Sequence, residues 1–306
     1  MSKKVLVIGG TYFAGRVFAM VAAREADFSL TLLNRGRYSM SHLPNVREFR
    51  CDRHDAQALR ALPAEEYDAI VDFCAYSAED VRTLLTALPG KYGRYILLST
   101  ADVYERAGEG VRSESTPILT EQEAGPVGDY IFGKVQAEKA AKEFCAEKSI
   151  PLTVLRPAFI YGPYNYAPRE SYFIRKILSG ESLPIPSDAK GQFQFVYVKD
   201  VAAAIIACVN STEAAEAYTL AAPEVMTYES FIELLRTVSD RPFSVTPIAV
   251  MDVITLNMPL PFPLFPEENE LFDGSRISRE LGLCYTPLAG GMEKAFRAIR
   301  STIENT

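Results

Sequence analysis

Near the N-terminus an apolar run, Val5-Leu6-Val7-Ile8, meets two glycines, Gly9 and Gly10, then Thr11-Tyr12-Phe13-Ala14 and a third glycine, Gly15. No other stretch narrows the possible folds so far. A short run rich in β-branched residues, with no polar interruption, reads as a strand buried on both faces. Beyond Gly15, Val17, Phe18, Val21 and Ala22 recur at helical spacing. Strand, glycine turn and helix form the opening of a nucleotide-binding βαβ unit. The glycines let the backbone turn tightly and approach a pyrophosphate, and the new helix points its free N–H groups at that anion. Gly9, Thr11, Tyr12, Phe13 and Gly15 are the candidate contacts. The spacing is irregular, because Tyr12 stands where G-x-x-G-x-x-G calls for glycine. On this motif alone, an ordinary strand-to-helix turn remains the alternative.

The strands that follow supply the rest of a cofactor site. A second strand, Leu30-Thr31-Leu32-Leu33, runs into Asn34-Arg35-Gly36-Arg37. In a dinucleotide fold this end holds the adenosine ribose, and an acidic residue here would favour NAD. Asn34 leaves a 2′-phosphate unopposed, and Arg35 or Arg37 can grip it bidentately. The expected cofactor is therefore NADP, with NAD possible if Arg35 only stacks on adenine. A third strand ends at Asp52, where Asp52 and Arg53 are candidates for the adenine amine; Asp52 or Asp55 equally suits a helix cap. A fourth strand, Ala69–Phe73, leads into Cys74-Ala75-Tyr76, a small-residue loop suited to close passage beside a cofactor, with Ser77 as the next N-cap. A fifth, Tyr95–Leu98, ends in Ser99-Thr100, and a sixth, Leu152–Leu155, ends in Arg156-Pro157. Strands alternating with helices predict an α/β fold, a Rossmann-type doubly wound parallel sheet with its ligands at the strands' carboxyl ends.

Composition removes several other classes. The chain has 306 residues, 48% hydrophobic and 23% charged, as expected of a globular protein with a large core. No apolar run is long enough to cross a bilayer, and Val5–Ile8 is too short for a signal-peptide core, so a membrane partner is not expected. Five scattered cysteines read as reduced thiols of a cytoplasmic protein. With two histidines and no Cys-x-x-Cys pair, no metal site is expected. A net charge of −7 disfavours a nucleic-acid partner. The expected partner is a small-molecule substrate.

The chemistry is carried by a helix predicted over 127–147. Tyr130 and Lys134 are four residues apart on it, so both project from one face. An ammonium beside a phenol favours the phenolate, and with Lys134 and a cationic nicotinamide nearby Tyr130 becomes a usable acid/base near neutral pH. Thr100, at the fifth strand's end, is placed to hydrogen-bond the same substrate oxygen. Thr100, Tyr130 and Lys134 are the candidate catalytic set. Ser99, Pro157, Tyr130 and Lys134 are further candidate cofactor contacts.

These motifs together resemble the extended short-chain dehydrogenase/reductases of the NAD-dependent epimerase/dehydratase type. Ile8–Gly15 resembles the glycine motif and Leu98–Tyr104 the strand carrying the catalytic Ser/Thr. Tyr130-Ile131-Phe132-Gly133-Lys134 resembles the Tyr-x-x-x-Lys motif, and Leu155-Arg156-Pro157 the segment beside the nicotinamide. Phe195–Ala202 and Ser275-Arg276 resemble later family stretches. The resemblance implies hydride transfer at a secondary alcohol or ketone, possible homodimers, and Lys134 holding the nicotinamide ribose. The variant Gly-Gly-Thr-x-Phe-x-Gly is similar to a branch that includes chloroplast stem-loop RNA-binding proteins. That similarity implies an alternative: a non-catalytic dinucleotide-binding regulator or RNA-associated protein. Two departures bear on the substrate. Ala101-Asp102 stands where dehydratases carry an Asp-Glu pair, which disfavours 4,6-dehydration. Phe193 stands where sugar-nucleotide enzymes carry a diphosphate-holding arginine.

Residues 1–163 are read as the dinucleotide-binding domain, with 195–220 returning to it, and 164–306 mainly as a smaller C-terminal substrate-binding lobe. Residues 105–128 read as a loop or lid across the site. Tyr164, Tyr166, Tyr172 and Phe173 either wall the pocket or pack between lobes. Pro259, Pro261 and Pro263 forbid a regular helix over 256–265.

Overall fold

The computed structural model describes residues 2–106 and 110–304; residues 107–109 of the expected lid lie outside them. The chain runs β1 (Lys3–Ile8), α1 (Phe13–Ala22), β2 (Phe28–Asn34), β3 (Val46–Arg50), α2 (Ala56–Arg60), β4 (Glu65–Tyr67), β5 (Ala69–Asp72) and α3 (Ala78–Ala87). It continues with β6 (Gly90–Tyr92), β7 (Tyr95–Leu98), α4 (Pro126–Lys148), β8 (Leu152–Pro157), β9 (Phe159–Tyr161), α5 (Glu170–Ser179), β10 (Leu183–Pro186) and β11 (Phe193–Tyr197). The last elements are α6 (Val198–Asn210), β12 (Ala217–Leu220), β13 (Val225–Met226), α7 (Tyr228–Val238), β14 (Val245–Ile248), α8 (Val250–Thr255), α9 (Ser275–Leu281) and α10 (Leu288–Glu304).

Seven strands form one sheet in the order β12-β8-β7-β5-β1-β2-β3, every neighbour parallel. The order reverses at β1 and β5, which makes the crevice between their carboxyl ends the ligand position of a doubly wound sheet. Side chains of β1 alternate between its faces. Val5 and Val7 pack with α1 and α6, whereas Leu6 and Ile8 pack with α3 and α4. Burial on both sides is why this strand is apolar throughout.

Local signals place the helices. Ser77 caps α3 by accepting from the Asp80 N–H at 3.1 Å. Asp55, not Asp52, caps α2, accepting from Gln57 and Ala58 N–H. The long helix expected over 127–147 is α4, entered through Pro126. Proline suits a first turn because the missing N–H would lack a helical partner anyway.

Beyond α4 an aromatic cluster fills the space between β9, β11, α5 and α7. Phe193 and Phe262 stack with centroids 4.1 Å apart and planes 10° apart, ringed by Phe159, Phe173, Phe195 and Phe231. Phe262 belongs to the proline-interrupted segment after α8, which is tied down by this ring. Phe173 is fully buried in the cluster, so its packing role prevails over that of a pocket wall. Among the described residues no helix is long and apolar enough to cross a membrane.

Candidate active site

The carboxyl ends of β1, β2, β3, β5, β7 and β8 open on one cleft of about 980 Å³. The sequence-nominated residues lining it are Gly9, Thr11, Tyr12, Phe13, Gly15, Asn34, Arg35, Arg37, Asp52, Arg53, Cys74, Tyr76, Ser99, Thr100, Tyr130, Lys134 and Pro157. Ala75 is the exception. Its side chain is fully buried against the sheet core and does not reach the cleft.

The glycine turn is built for close approach. Gly9 has φ +80°, and a Cβ on Gly15 would stand 2.4 Å from the Gly9 carbonyl oxygen. α1 therefore starts hard against the turn, with its first N–H groups facing the cleft. Tyr12 sits extended just before the helix and makes a wall of the cleft: it stacks on Tyr166 at 4.9 Å and on Tyr38 at 6.1 Å. At the end of β2, Asn34 Oδ1 accepts from the Gly36 N–H at 2.6 Å, and its buried Nδ2 has no partner among the described residues. Ser99 Oγ is likewise buried and unpartnered among them. Arg53 Nε is a third such atom. Buried polar groups of this kind are normally satisfied, so Asn34 and Ser99 on one cleft are what a polar ligand would complete. The residues present thus fit a dinucleotide.

Arg53 differs from expectation. Its guanidinium is clamped to the fully buried Asp72 at 2.7 and 2.8 Å and donates to the Asp80 carbonyl at 2.9 Å. Tyr95 Oη also donates to Asp72, at 2.8 Å. With those donors engaged, Arg53 anchors the floor of the cleft and is not free to read adenine. Burial pushes the adjoining Cys74 thiol up to about 11, so it is an inert wall.

α4 brings Tyr130 and Lys134 to the strand ends. Gly133 makes this possible, since a Cβ there would lie 2.3 Å from the Tyr76 carbonyl oxygen. Lys134 is 2% exposed; Nζ donates to the Leu98 carbonyl at 2.9 Å and lies 4.6 Å from the Tyr76 ring centre. Burial brings its ammonium down to about 8. The Tyr130 ring centre is 6.0 Å from Nζ. The expected lowering of the Tyr130 phenol by Lys134 is not found. Desolvation, followed by the nearby Asp102 carboxylate, drives that phenol well above its ordinary value. Thr100 Oγ1 donates to Asp102 Oδ2 at 2.8 Å and accepts from the Asp102 N–H at 3.3 Å, which leaves one lone pair of the hydroxyl oxygen as an acceptor at the cleft.

Several lining groups carry no local sequence signal. Phe159 and Arg169 enter from β9 and from the turn before α5. Arg169 lies 4.7 Å over the Phe159 ring, and its charge reaches Tyr130. The turn is held by Glu170, fully buried, which accepts from the Gly162 N–H and from Asn165 Nδ2, each at 3.0 Å.

A parallel sheet with a glycine turn and a Tyr-x-x-x-Lys helix on one cleft agrees with the comparison to known families. The model of the NAD dependent epimerase/dehydratase family matches residues 5–221. The chain belongs to the NAD-dependent epimerase/dehydratase family. Among curated members it is 28% identical over 242 residues to the Arabidopsis thaliana chloroplast stem-loop binding protein of 41 kDa b. That match covers 74% of this chain and 61% of the relative, so the chain spans less than two thirds of the relative's length. It is 25% identical to the dTDP-glucose 4,6-dehydratase of Streptomyces niveus, over 78% of this chain and 82% of that one. The fold of this epimerase/dehydratase-family chain matches UDP-glucuronic acid 4-epimerase from Bacillus cereus, solved with UDP-glucuronic acid and NAD. The TM-score is 0.77 at 18% identity, covering 98% of this chain and 99% of that one. Epimerase Mth375 from Methanothermobacter thermautotrophicus matches with a TM-score of 0.80 at 17% identity, over 99% and 94% of the two chains.

Proposed function

We propose that this protein is an NAD(P)-dependent oxidoreductase or epimerase that moves hydride at a secondary alcohol or ketone, with Tyr130 as acid/base. The observation that carries the reading is that Thr100, Tyr130 and Lys134 line the same cleft as the Gly9–Gly15 turn. A nicotinamide dinucleotide, when bound, supplies the hydride donor or acceptor. Gly9, Thr11 and Gly15 would face its pyrophosphate, and Asn34, Arg35 and Arg37 its adenosine ribose. In the reducing direction Tyr130 Oη gives its proton to the substrate oxygen, and in the oxidising direction it takes the proton back. Thr100 orients that oxygen, its own hydroxyl proton being held by Asp102. Lys134, fixed on the Leu98 carbonyl, places a positive charge beneath the site. NADP is the preferred cofactor in this reading, because no carboxylate ends β2 and two arginines line the cleft beside it.

Titrating the protein with NADP and NAD tests the cofactor: NADP should bind at least tenfold tighter, and the reverse order overturns the preference. Tyr130→Phe, assayed by nicotinamide absorbance against a panel of sugar ketones, should keep cofactor binding. Its turnover should fall about 10²-fold or more, the usual worth of a positioned acid/base. Wild-type turnover in that variant would refute the mechanism. The alternative of a non-catalytic, RNA-associated protein is favoured by the chloroplast stem-loop binding relative. Against it stand the complete Thr100, Tyr130 and Lys134 set and the net charge of −7.

A further inference from the structure

A second cavity, of about 300 Å³, opens beside the cofactor cleft. Asp102, Phe159 and Arg169 line both, so the two spaces meet next to Thr100 and Tyr130. Ligand pockets run from about 300 to 1,000 Å³, which puts this one at the small end. It cannot lengthen toward the C-terminal lobe. Phe159 and Pro261 wall that side, and the stacked Phe193 and Phe262 fill the space behind them. The Phe193 ring is fully buried in this stack and presents neither charge nor hydrogen-bond donor to a phosphate.

The cavity lining carries four carboxylates, Asp102, Glu121, Glu123 and Glu270, against three guanidiniums, Arg106, Arg112 and Arg169, and the guanidiniums are unequally paired. Arg112 is buried and held by Glu270 Oε2 at 2.7 Å and by the Asn269 carbonyl at 2.9 Å. Arg106 has Glu123 at 3.7 Å. The Arg169 guanidinium makes no side-chain hydrogen bond or ion pair that reaches contact distance among the described residues; it stacks on Phe159, and its charge is felt by Tyr130 and by the neighbouring buried Glu170. A half-buried guanidinium with no hydrogen-bonded carboxylate keeps its donors for an anion. Asp102 and Glu270 also line the cavity, and they are close enough to influence each other. Burial and then Asp102 push the Glu270 carboxyl up to about 7, where it can both donate to and accept from a hydroxyl.

We propose that this smaller cavity is the substrate seat, and that it takes a compact polyhydroxylated anion of about hexose size. The anionic group, carboxylate or phosphate, sits on Arg169, and hydroxyls sit on Asp102 and Glu270. A nucleoside-diphosphate sugar does not fit this seat. The inference rests on the hydride-transfer reading above for its placement beside Tyr130, but its test reads binding, not turnover.

The full chain, saturated with NADP, is titrated calorimetrically with glucuronate, glucose 6-phosphate, glucose and UDP-glucose. At least one of the two free anions should bind at least tenfold tighter than glucose and tighter than UDP-glucose. Whichever anion is preferred identifies carboxylate or phosphate as the group. Arg169→Gln should erase the preference over glucose, and Arg169→Lys should retain part of it, with thermal melts confirming that both variants are folded. UDP-glucose binding tighter than both anions, equal affinity for anions and glucose, or no binding of any probe would each overturn the seat. These outcomes are separable from failure of the hydride reading: that reading fails on wild-type turnover by Tyr130→Phe, whatever sugar binds.

Discussion

Glu170 offers a sharp test of how the turn carrying Tyr166 and Arg169 is held in place. Its carboxyl is fully buried at the start of α5, and burial raises it from 4.5 to about 7. A carboxyl raised on folding contributes stability that is fully present below its unfolded value and is lost as pH rises through the folded one. Each pH unit between the two is about 1.4 kcal/mol, so the whole effect is about 3 kcal/mol. Between pH 5 and pH 8 about 2 kcal/mol of it is expressed, because the unfolded chain has already released some proton at pH 5. Glu170→Gln keeps an acceptor for the Gly162 N–H but sets its amide against Asn165 Nδ2, which accounts for about 1 kcal/mol of loss at either pH. What changes with pH is the difference between the variant and the wild type. Urea unfolding at pH 5 and pH 8 should show the variant gaining about 2 kcal/mol relative to the wild type at the higher pH. A difference that does not vary with pH would refute the reasoning, since it would mean that Glu170 titrates alike in both states.

Two further outcomes follow from the cleft. Gly15→Ala forces a methyl to 2.4 Å from the Gly9 oxygen, so the turn must shift; dinucleotide binding should weaken at least tenfold in a fluorescence titration and the melting temperature should fall. Arg53→Met strands the buried Asp72 carboxylate and should cost about 3–5 kcal/mol in chemical denaturation, the usual penalty for breaking a buried ion pair from one side. A cost under about 1 kcal/mol would show that Asp72 is satisfied by Tyr95 and the Cys74 N–H alone.

Elements whose causes are local can be read directly from neighbouring residues. An unbroken apolar run, three of its four residues β-branched, meant a doubly buried strand, and Val5–Ile8 of β1 are buried on both faces. Glycines at 9 and 15 meant a turn with the helix start pressed on it. Ser77 and Pro126 marked helix starts, and the four-residue spacing of Tyr130 and Lys134 sent both toward one cleft. Each signal acts over a turn of helix or a few residues of strand, so it survives in the linear chain. Other features depended on which distant segments meet. Arg53 is a plausible adenine contact until Asp72, nineteen residues later, captures it. The four-residue spacing brings Lys134 to 6.0 Å from the Tyr130 ring, but packing gives its Nζ the Leu98 carbonyl, and desolvation followed by Asp102 raises the phenol. Arg169, Asp102 and Glu270 form one cavity although they come from three separate stretches of chain, with no periodicity to connect them. Phe193 becomes a core residue because Phe262 closes over it. Burial and long-range charge set the protonation and the shape of this site, and both are properties of the packed chain alone.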